Sequence, residues 1–466
     1  MSDALGLLRA ILRDERLSEG DARQLLAQAL EREIDPLLYC AAELGLGPRL
    51  IMERAAAWAG MAYYPKIPDG LPGRSDLPIL EALRAVQSCR MQLFDRHVSF
   101  AAPDFFGVLR LRRAVLHKPS LRNRICLVPG PALRDYLALS AAESLIDEAR
   151  QRLARRWPYA SAQLELTKPV RYGFLVAVVL LTTLILVAPY VAQIWLLPLV
   201  LMLLVAPASI RLAAVFEPLP LPPKLTRPAD AELPVYSVLI PLRNEAAMVP
   251  QLFRAMRALD YPADKLDIKF VVEATSPETL VAAAAEPDDI RFSLVAVPDA
   301  MPRTKPKALD YVLPLCRGEL VVVYDAEDIP DPDQLWKAAA RFRDAPDLEC
   351  LQARLEIDNG RQNWLTALFA GEYAGLFGVL LPALAHWRMP MPLGGTSNHF
   401  RLATLRELGG WDAFNVTEDA DLGMRMARRR MLVDVLDSAT HETAPFRLLP
   451  WIGQRTRWMK GWMQTF

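Results

Sequence analysis

The chain has 466 residues, and its 54 Lys plus Arg balance 54 Asp plus Glu. This length predicts two or three domains, and a net charge of zero argues against nucleic acid as a partner. A composition 52% apolar and 23% charged excludes wholesale disorder.

Residues 3–60 read as short amphipathic helices. Leu5, Leu8, Ile11 and Leu12 keep a helical spacing. Ser18, followed by Asp21, opens a second helix carrying Leu25, Leu26 and Leu30. Asp35-Pro36 opens a third, and Gly45-Leu46-Gly47-Pro48 breaks into a fourth. Two stanzas, ILRDERLSEGDARQLLAQAL and YCAAELGLGPRLIMERAAAWAG, are similar. On these stanzas residues 1–70 resemble the N-terminal domain of type II secretion ATPases, a module that in some relatives binds cyclic di-GMP. The binding versions start each stanza with Arg-Leu-Gly, whereas the equivalent stretch here is Gly6-Leu7-Leu8-Arg9. The resemblance therefore implies a docking or regulatory module, with cyclic di-GMP or a regulatory protein as candidate partner. No phosphate-binding loop of the Gly-x4-Gly-Lys-Ser/Thr type occurs, so ATPase chemistry is not expected.

Residues 71–167 read as a small α/β unit, with short strands in HVSFAAP and NRICLVPG and an Arg-rich helix over 140–156. No chemistry attaches to it. From Tyr172 to Ile210 there follow 39 residues without Asp, Glu, Lys, Arg or His. As one helix this run would span about 58 Å, against a hydrocarbon slab of about 30 Å. It predicts a transmembrane hairpin within 168–216, with helices near 172–189 and 192–210 and a tip marked by Pro189, Tyr190 and Gln193. The alternative, a buried helical pair in a soluble core, rarely carries so long an uncharged run. Arg150, Arg152, Arg155, Arg156, Lys168 and Arg171 precede the run, and Arg211, Lys224 and Arg227 follow it. Basic flanks on both sides place both ends in the cytoplasm, in a multi-pass protein of the inner membrane. The run lies too far from Met1 to be a signal peptide. Cys40, Cys89, Cys126, Cys316 and Cys350 form no CxxC pair, which agrees with reduced cytoplasmic thiols. Six prolines from Pro218 to Pro234 make 217–234 a stiff linker.

Within 235–466 strands and helices alternate: VYSVLIPL, a helix over 246–258, DIKFVVE, a helix near 277–285, RFSLVAV, a helix over 304–314, and GELVVVYDAED. This predicts an α/β fold with a mainly parallel sheet. In such sheets ligands bind beyond the carboxyl ends of the strands. The residues there are Arg243, Asn244 and Glu245, then Glu273, then Asp325, Glu327 and Asp328. Three acids within four residues at a buried strand end call for a compensating cation. Carboxylates suit Mg2+ or Mn2+, which take further oxygens from phosphate and water. Acids favoured at a helix N-terminus are the alternative; that accounts for Asp331 and Asp333 but not for an acidic strand end.

Further along come GGTSNHF (394–400), TEDADLGMRMARRR (417–430) and QRTRW (454–458). In this order the motifs resemble the membrane-embedded family 2 glycosyltransferases, the group of cellulose, chitin and hyaluronan synthases, from Val235 to the end of the chain. The resemblance implies a glycosyltransferase-A-like sheet beside the hairpin and the helical regulatory region. It assigns Arg243, Glu245 and Glu273 to the nucleotide base and ribose. Asp325 and Glu327 fall to the metal on the diphosphate; Glu327 stands where the family usually has Asp, with Asp328 next in line. Asp419 becomes the general base with Glu418 beside it. Gln454, Arg457 and Trp458 cap the donor pyrophosphate and the acceptor end.

The chemistry needs these groups. A metal and Arg457 would offset the charge of the leaving diphosphate, and a held carboxylate would deprotonate the acceptor hydroxyl. Trp458 offers a flat face to a sugar ring, or an anchor at a membrane interface. Lys305 and Lys307 precede a helix over 308–314 and are directed either at phosphate or at solvent. His399 reads as a structural hydrogen-bonder, and Cys316 and Cys350 as core residues. Residues 362–393 are apolar but broken by Glu372 and prolines, which predicts an interfacial helix rather than a clean span. The chain runs eight residues past Trp458, whereas synthases of this type continue into further transmembrane helices. Either the chain is truncated or it does not secrete a polymer by itself. The expected function is inverting, metal-dependent transfer of a sugar from a nucleoside diphosphate, UDP foremost, to a growing polysaccharide at the cytoplasmic membrane face. The alternatives are a non-catalytic glycosyltransferase-like scaffold and single-sugar transfer to a lipid phosphate, against which QRTRW argues.

Overall fold

The computed structural model describes residues 2–12, 18–68, 80–93, 96–163, 168–191, 193–220, 222–286 and 289–465. The chain opens with helices Ser2–Ile11, Glu19–Glu31, Pro36–Leu44 and Pro48–Ala59. Ser18 and Asp21 start the second by a reciprocal cap, the Ser18 hydroxyl taking the Asp21 amide at 3.2 Å and the Asp21 carboxylate the Ser18 amide at 2.7 Å. Asp35 and Pro36 start the third, and Gly45, left-handed at φ 63°, ends it. Beside the helices lie strands β1 (Ala62–Tyr63), β2 (Ser88–Leu93), β3 (Arg96–Ala101) and β4 (Ile125–Leu127), in the order β1-β4-β3-β2. Leu7, Leu8, Ile11 and Ala55 share one core with Phe105, Val108 and Leu127. That core and the parallel β1–β4 pairing both cross the boundary expected near residue 70. All five cysteines are free and buried.

Helices Lys168–Val191 and Gln193–Phe216 form an apolar hairpin over the predicted 168–216, the first reaching beyond the expected 172–189 at both ends and the second beyond the expected 210. Pro189 lies inside the first helix rather than at the tip, and Pro198 and Pro207 lie inside the second. Leu180, Leu181, Ile185 and Leu186 are exposed. Among the described residues, the helix long and apolar enough to cross a membrane is Trp364–His386; the apolar stretches described in the hairpin, Tyr172–Val187 and Leu204–Phe216, are shorter. Trp364–His386 runs unbroken through a π-helical turn at Leu376–Leu380. It packs Phe369, Tyr373, Phe377 and Leu381 into the main core and leaves Trp364 and Leu368 exposed. Glu217, just past the hairpin, meets His386 at 3.4 Å.

The C-terminal half is built on β5 (Tyr236–Leu242), β6 (Leu266–Glu273), β7 (Phe292–Val297), β8 (Leu320–Val323), β9 (Ile329–Pro330), β10 (Leu348–Ile357), β11 (Asn398–Arg401) and β12 (Leu432–Glu442). Their order is β7-β6-β5-β8-β11-β10-β12-β9. The first four are parallel, β11 runs antiparallel to both neighbours, and β10 and β12 are parallel. The chain builds outward from β5 through β6 to β7, then returns to place β8 on the other side of β5. The carboxyl ends of β5 and β8 therefore flank a crevice at a topological switch point.

The two halves are not beads on a linker. Helix Ala142–Arg156 lies along Lys305–Val312, and Leu145 and Ala149 join a core with Leu309, Val312 and Phe400. The Tyr311 hydroxyl donates to the Ala138 carbonyl at 3.4 Å, and Asp412 accepts the Ala162 amide at 2.5 Å. Gly410 (φ 76°) lets the chain turn against that helix, since a Cβ there would stand 2.1 Å from Asp310 Oδ1. A chain lacking residues 1–160 would expose this apolar face, so loss of soluble monomer and a lowered melting temperature are expected. Gel filtration in detergent and thermal unfolding measure both; a stable, monomeric C-terminal half would show the contact to be dispensable.

Candidate active site

At the end of β5 the chain turns through Asn244, left-handed at φ 60°, a conformation Asn tolerates better than most residues. Ser276 holds that turn: its hydroxyl donates to Asn244 Oδ1 at 3.0 Å and accepts the Asn244 amide at 3.2 Å. The Glu245 amide donates to Thr279 Oγ1 at 3.0 Å, and the Arg243 guanidinium to the Arg303 carbonyl at 3.2 Å. Arg243 and Glu245 are thereby set on the rim of the crevice. At the end of β6, buried Glu273 accepts the Lys307 ammonium on both oxygens, at 3.0 and 3.1 Å. Lys307 is fully buried and donates also to the Ala300 carbonyl at 3.2 Å. It faces neither phosphate nor solvent; it lies behind Glu273 and orients it.

β8 delivers Asp325 and Glu327 to the crevice but turns Asp328 inward. The buried Asp328 carboxylate accepts the Asp325 amide at 2.6 Å and the Thr396 hydroxyl, closing the turn. It staples the acidic loop through Oδ2, while its buried Oδ1 has no hydrogen-bond partner among the described residues. His399 accepts or donates at 2.6 Å to the Tyr236 hydroxyl and at 3.2 Å to Gln334, and burial pulls it down to about 3, so it stays neutral and structural.

Opposite stands helix Glu418–Arg428, with Thr417 at its cap position and Asp419 in its first turn. Asp419 is therefore the second residue of the helix and not its cap. Its carboxylate and that of Asp325 both face Gly395, where a Cβ would lie 3.4 Å from Asp419 Oδ2 and 4.0 Å from Asp325 Oδ2. Lys305 bridges the two walls. Its ammonium is 2.6 Å from Asp325 Oδ1 and 3.9 Å from Glu418 Oε1, and donates to the Gly395 carbonyl at 2.6 Å. Burial works against that charge, but Asp325 and Glu418 outweigh it and hold Lys305 above its usual range.

Burial pushes Glu418 up to about 7, with Lys305 pulling it back and Asp419 adding to the rise. Burial raises Asp419 as well, against the helix amide of Ala420. Glu327 and Glu245 are raised first by burial and then by charge, Glu327 by Asp325 and Glu245, and Glu245 by Asp325. A further acid, Glu442 at the end of β12, is driven to about 8 by burial and by Asp325 and Glu327.

Helix Leu448–Thr465 closes the crevice. Arg455 ties it to helix Trp364–Gly375 through Glu372 at 2.5 and 2.6 Å and lies 4.5 Å over the Trp458 ring. Gly461 packs on Thr417, Gln464 Oε1 takes the Val416 amide at 3.2 Å, and Asn415 donates to Thr465 Oγ1 at 3.1 Å. The result is a cleft of about 760 Å³. Arg243, Glu245, Glu273, Asp325 and Glu327 line one side, and Glu418, Asp419, Arg457 and Trp458 the other. Gln454 does not line it; its buried Oε1 has no hydrogen-bond partner among the described residues. Lys305, Ser276, Thr279 and Glu442 carry no motif and were not marked as site residues by the sequence, save that Lys305 precedes a helix as Lys307 does.

Residues 234–461 match the family model described as glycosyltransferase like family 2. The C-terminal half is a family 2 glycosyltransferase domain. The "Probable glycosyltransferase YdaM" of Bacillus subtilis is 27% identical over 233 residues, covering 49% of this chain and 56% of the relative. The "Beta-monoglucosyldiacylglycerol synthase" of Trichormus variabilis is 26% identical over 250 residues, 51% of each. The "Cellulose synthase 2" of Novacetimonas hansenii is 29% identical over 254 residues, 53% of this chain and 15% of the relative. The chain thus spans about half the length of the first two relatives.

Within the glycosyltransferase domain, Gly461 admits no side chain, since a Cβ would stand 2.0 Å from Thr417 Oγ1. Gly461→Ala should push Arg457 and Trp458 away from Glu418 and Asp419. A shift of about 1 Å at reacting groups is worth roughly a hundredfold in rate, so a loss of that order is expected in a folded protein. An unchanged rate would show that the packing does not set the site.

Proposed function

We propose that the protein is an inverting, metal-dependent glycosyltransferase that moves a sugar from a nucleoside diphosphate donor, UDP foremost, to an acceptor hydroxyl at the cytoplasmic face of a membrane. The observation that carries this reading is the meeting of Asp325 and Glu327 with Glu418, Asp419 and Arg457 around one cleft. Among the described residues no group of three or more His, Cys, Asp or Glu stands ready to hold a metal alone. Two carboxylates at a strand end, Glu327 raised by burial and by Asp325 and Asp325 met by a single ammonium, instead fit a divalent ion shared with a diphosphate. Asp325 and Glu327 would hold Mg2+ or Mn2+, which supplies charge neutralisation at the leaving group.

The chain's own groups supply the rest. Asp419 takes the acceptor proton as that oxygen attacks the anomeric carbon from the face opposite the diphosphate; the carbon–phosphate oxygen bond breaks and the configuration inverts. Arg457, exposed at the rim and without an ion pair among the described residues, meets the departing phosphates. Glu273, braced by Lys307, and Arg243 with Glu245 receive the nucleoside. Trp458 offers its face to the acceptor sugar. A growing polysaccharide is the acceptor in this reading. A lipid acceptor is the second reading, favoured by the similarity to the glucosyldiacylglycerol synthase. Release of UDP from a panel of UDP-sugars, with polysaccharide primers against lipid acceptors, separates the two.

The membrane enters through helices Lys168–Val191 and Gln193–Phe216. Each has 24 residues, and 24 residues rise about 36 Å, enough for a hydrocarbon slab of about 30 Å. Basic flanks on both sides favour two spans with both ends cytoplasmic, and the interfacial helix Trp364–His386 would set the cleft at the bilayer surface. The N-terminal helices are regulatory in this reading, with cyclic di-GMP or a regulatory protein as their partner. Impermeant thiol reagents on intact cells should label a cysteine placed at Tyr190 and spare one at Asp230. Labelling at Asp230 would overturn this topology.

Asp419→Asn should leave folding and donor binding in place while cutting transfer by on the order of 10²–10⁴-fold, the scale of a lost general base. Asp325→Asn should instead weaken Mn2+-dependent UDP binding. Because Asp419 acts only when ionised and its carboxyl is raised, transfer should fall as the pH drops through a value above the ordinary aspartate range. Near wild-type turnover by Asp419→Asn would shift the role to Glu418.

A further inference from the structure

At the opposite end of the eight-stranded sheet, where β5 and β8 begin and β11 ends, lies a second cavity of about 550 Å³. Arg84, Arg317, Arg343, Arg401 and Arg406 line it, against the carboxylates of Glu232 and Glu319. Arg84 comes from the N-terminal unit, the other four from the glycosyltransferase domain. These are not simple ion pairs. Arg401 donates to the main-chain carbonyls of Leu348 and Phe342, both at 2.8 Å, and lies 5.1 Å over the Phe342 ring, so no carboxylate among the described residues offsets it. Arg84 is exposed and forms no ion pair among the described residues. Arg317 meets Asp267 at 3.2 Å, but Asp267 already holds Lys269 at 3.0 Å. Arg343 reaches Glu232 at 3.5 Å and Asp344 at 3.0 Å while half exposed. Arg406 also lines a neighbouring cavity of about 280 Å³ with Arg152, Arg155, Arg156 and Glu148.

With Asp267 and Asp344 added to Glu232 and Glu319, and Lys269 to the five guanidinium groups, six cations face four carboxylates and two positive charges stay in excess. An interface held only by ion pairs would balance them. Burial and the charge of Arg317 pull the adjacent Arg134 down to about 10, a further mark of positive potential in this corner. The guanidinium fork matches phosphate oxygens two at a time, and the volume falls in the range of about 300–1,000 Å³ typical of small-ligand sites. We propose that this cavity binds a small anion carrying two phosphate groups, gripped between the N-terminal unit and the glycosyltransferase domain and separate from the donor cleft. Because both units supply arginines, the bound anion favours their docked state.

The test is calorimetric titration of the detergent-solubilised full chain with inorganic pyrophosphate in EDTA, which keeps divalent ions from assembling the donor site. Saturable binding is expected, weakened about tenfold by Arg84→Ala and again by Arg343→Ala, and unaffected by Arg457→Ala in the cleft. Both new-site residues are surface-exposed, and far-UV circular dichroism checks that each variant is folded. Repeating the titration in nanodiscs distinguishes the source of the phosphate. Competition from phosphatidylglycerol but not phosphatidylcholine assigns the site to lipid headgroups, and equal affinity in both assigns it to a soluble phosphate. Absence of saturable binding overturns the proposal, as does binding that survives Arg84→Ala and Arg343→Ala but is lost with Arg457→Ala.

Discussion

The Lys305 ammonium, wedged between the acidic end of β8 and the acidic start of helix Glu418–Arg428, is the contact on which the rest of the site depends. Asp325, Glu327, Glu245, Glu418, Asp419 and Glu442 come from four separate segments, and their repulsion would neutralise several of them in a dry cleft. One cation among them, 2.6 Å from Asp325, offsets part of that charge and ties both walls to the Gly395 carbonyl. Removing a partner from such a pair leaves a charge uncompensated, which costs more than the pair itself contributes. In the proposed function, a divalent ion would offset this surplus of negative charge and so complete an electrostatic balance that the protein leaves open.

Lys305 owes its place to a helix of which each face has a different task. Its first residue points into the cleft, while Lys307, two positions on and roughly 200° around the helix axis, turns inward to brace Glu273. The outer face, with Leu309 and Val312, packs on helix Ala142–Arg156 of the N-terminal unit. Catalytic geometry and the docking of the N-terminal unit are therefore coupled through one rigid element. The arginine-lined cavity occupies the same junction, at the far end of the sheet. An anion held there and a donor held in the cleft would act on opposite ends of β5 and β8.

The helix Trp364–His386 plays a comparable part for the other wall. Glu372 on it anchors Arg455, Arg455 stacks on Trp458, and Phe369 and Tyr373 fill the core behind them. His386 at its far end meets Glu217, just beyond the apolar hairpin. The aromatic side of the cleft is thus linked by direct contacts to the most apolar segment of the chain.

The sequence by itself determined the local features. Runs of β-branched residues separated by amphipathic helices dictated a mainly parallel sheet, since periods of 2 and 3.6 are written in neighbouring residues. Ser18, Asp35-Pro36 and Gly45 marked helix ends for the same reason, and the 39-residue uncharged run marked the hairpin. The strand-end acids were legible because the switch-point rule turns topology into a place. Only the tertiary structure decided which of two adjacent lysines enters the cleft and that Asp328 staples the loop instead of facing it. Glu442, Ser276 and Thr279 joined the site in the same way, as did the N-terminal unit that shares the catalytic core. These outcomes rest on contacts between segments tens to hundreds of residues apart, such as Lys305 with Gly395 or Tyr311 with Ala138. Residue type reports what a side chain can bond to; where its partner lies is settled only when distant elements pack.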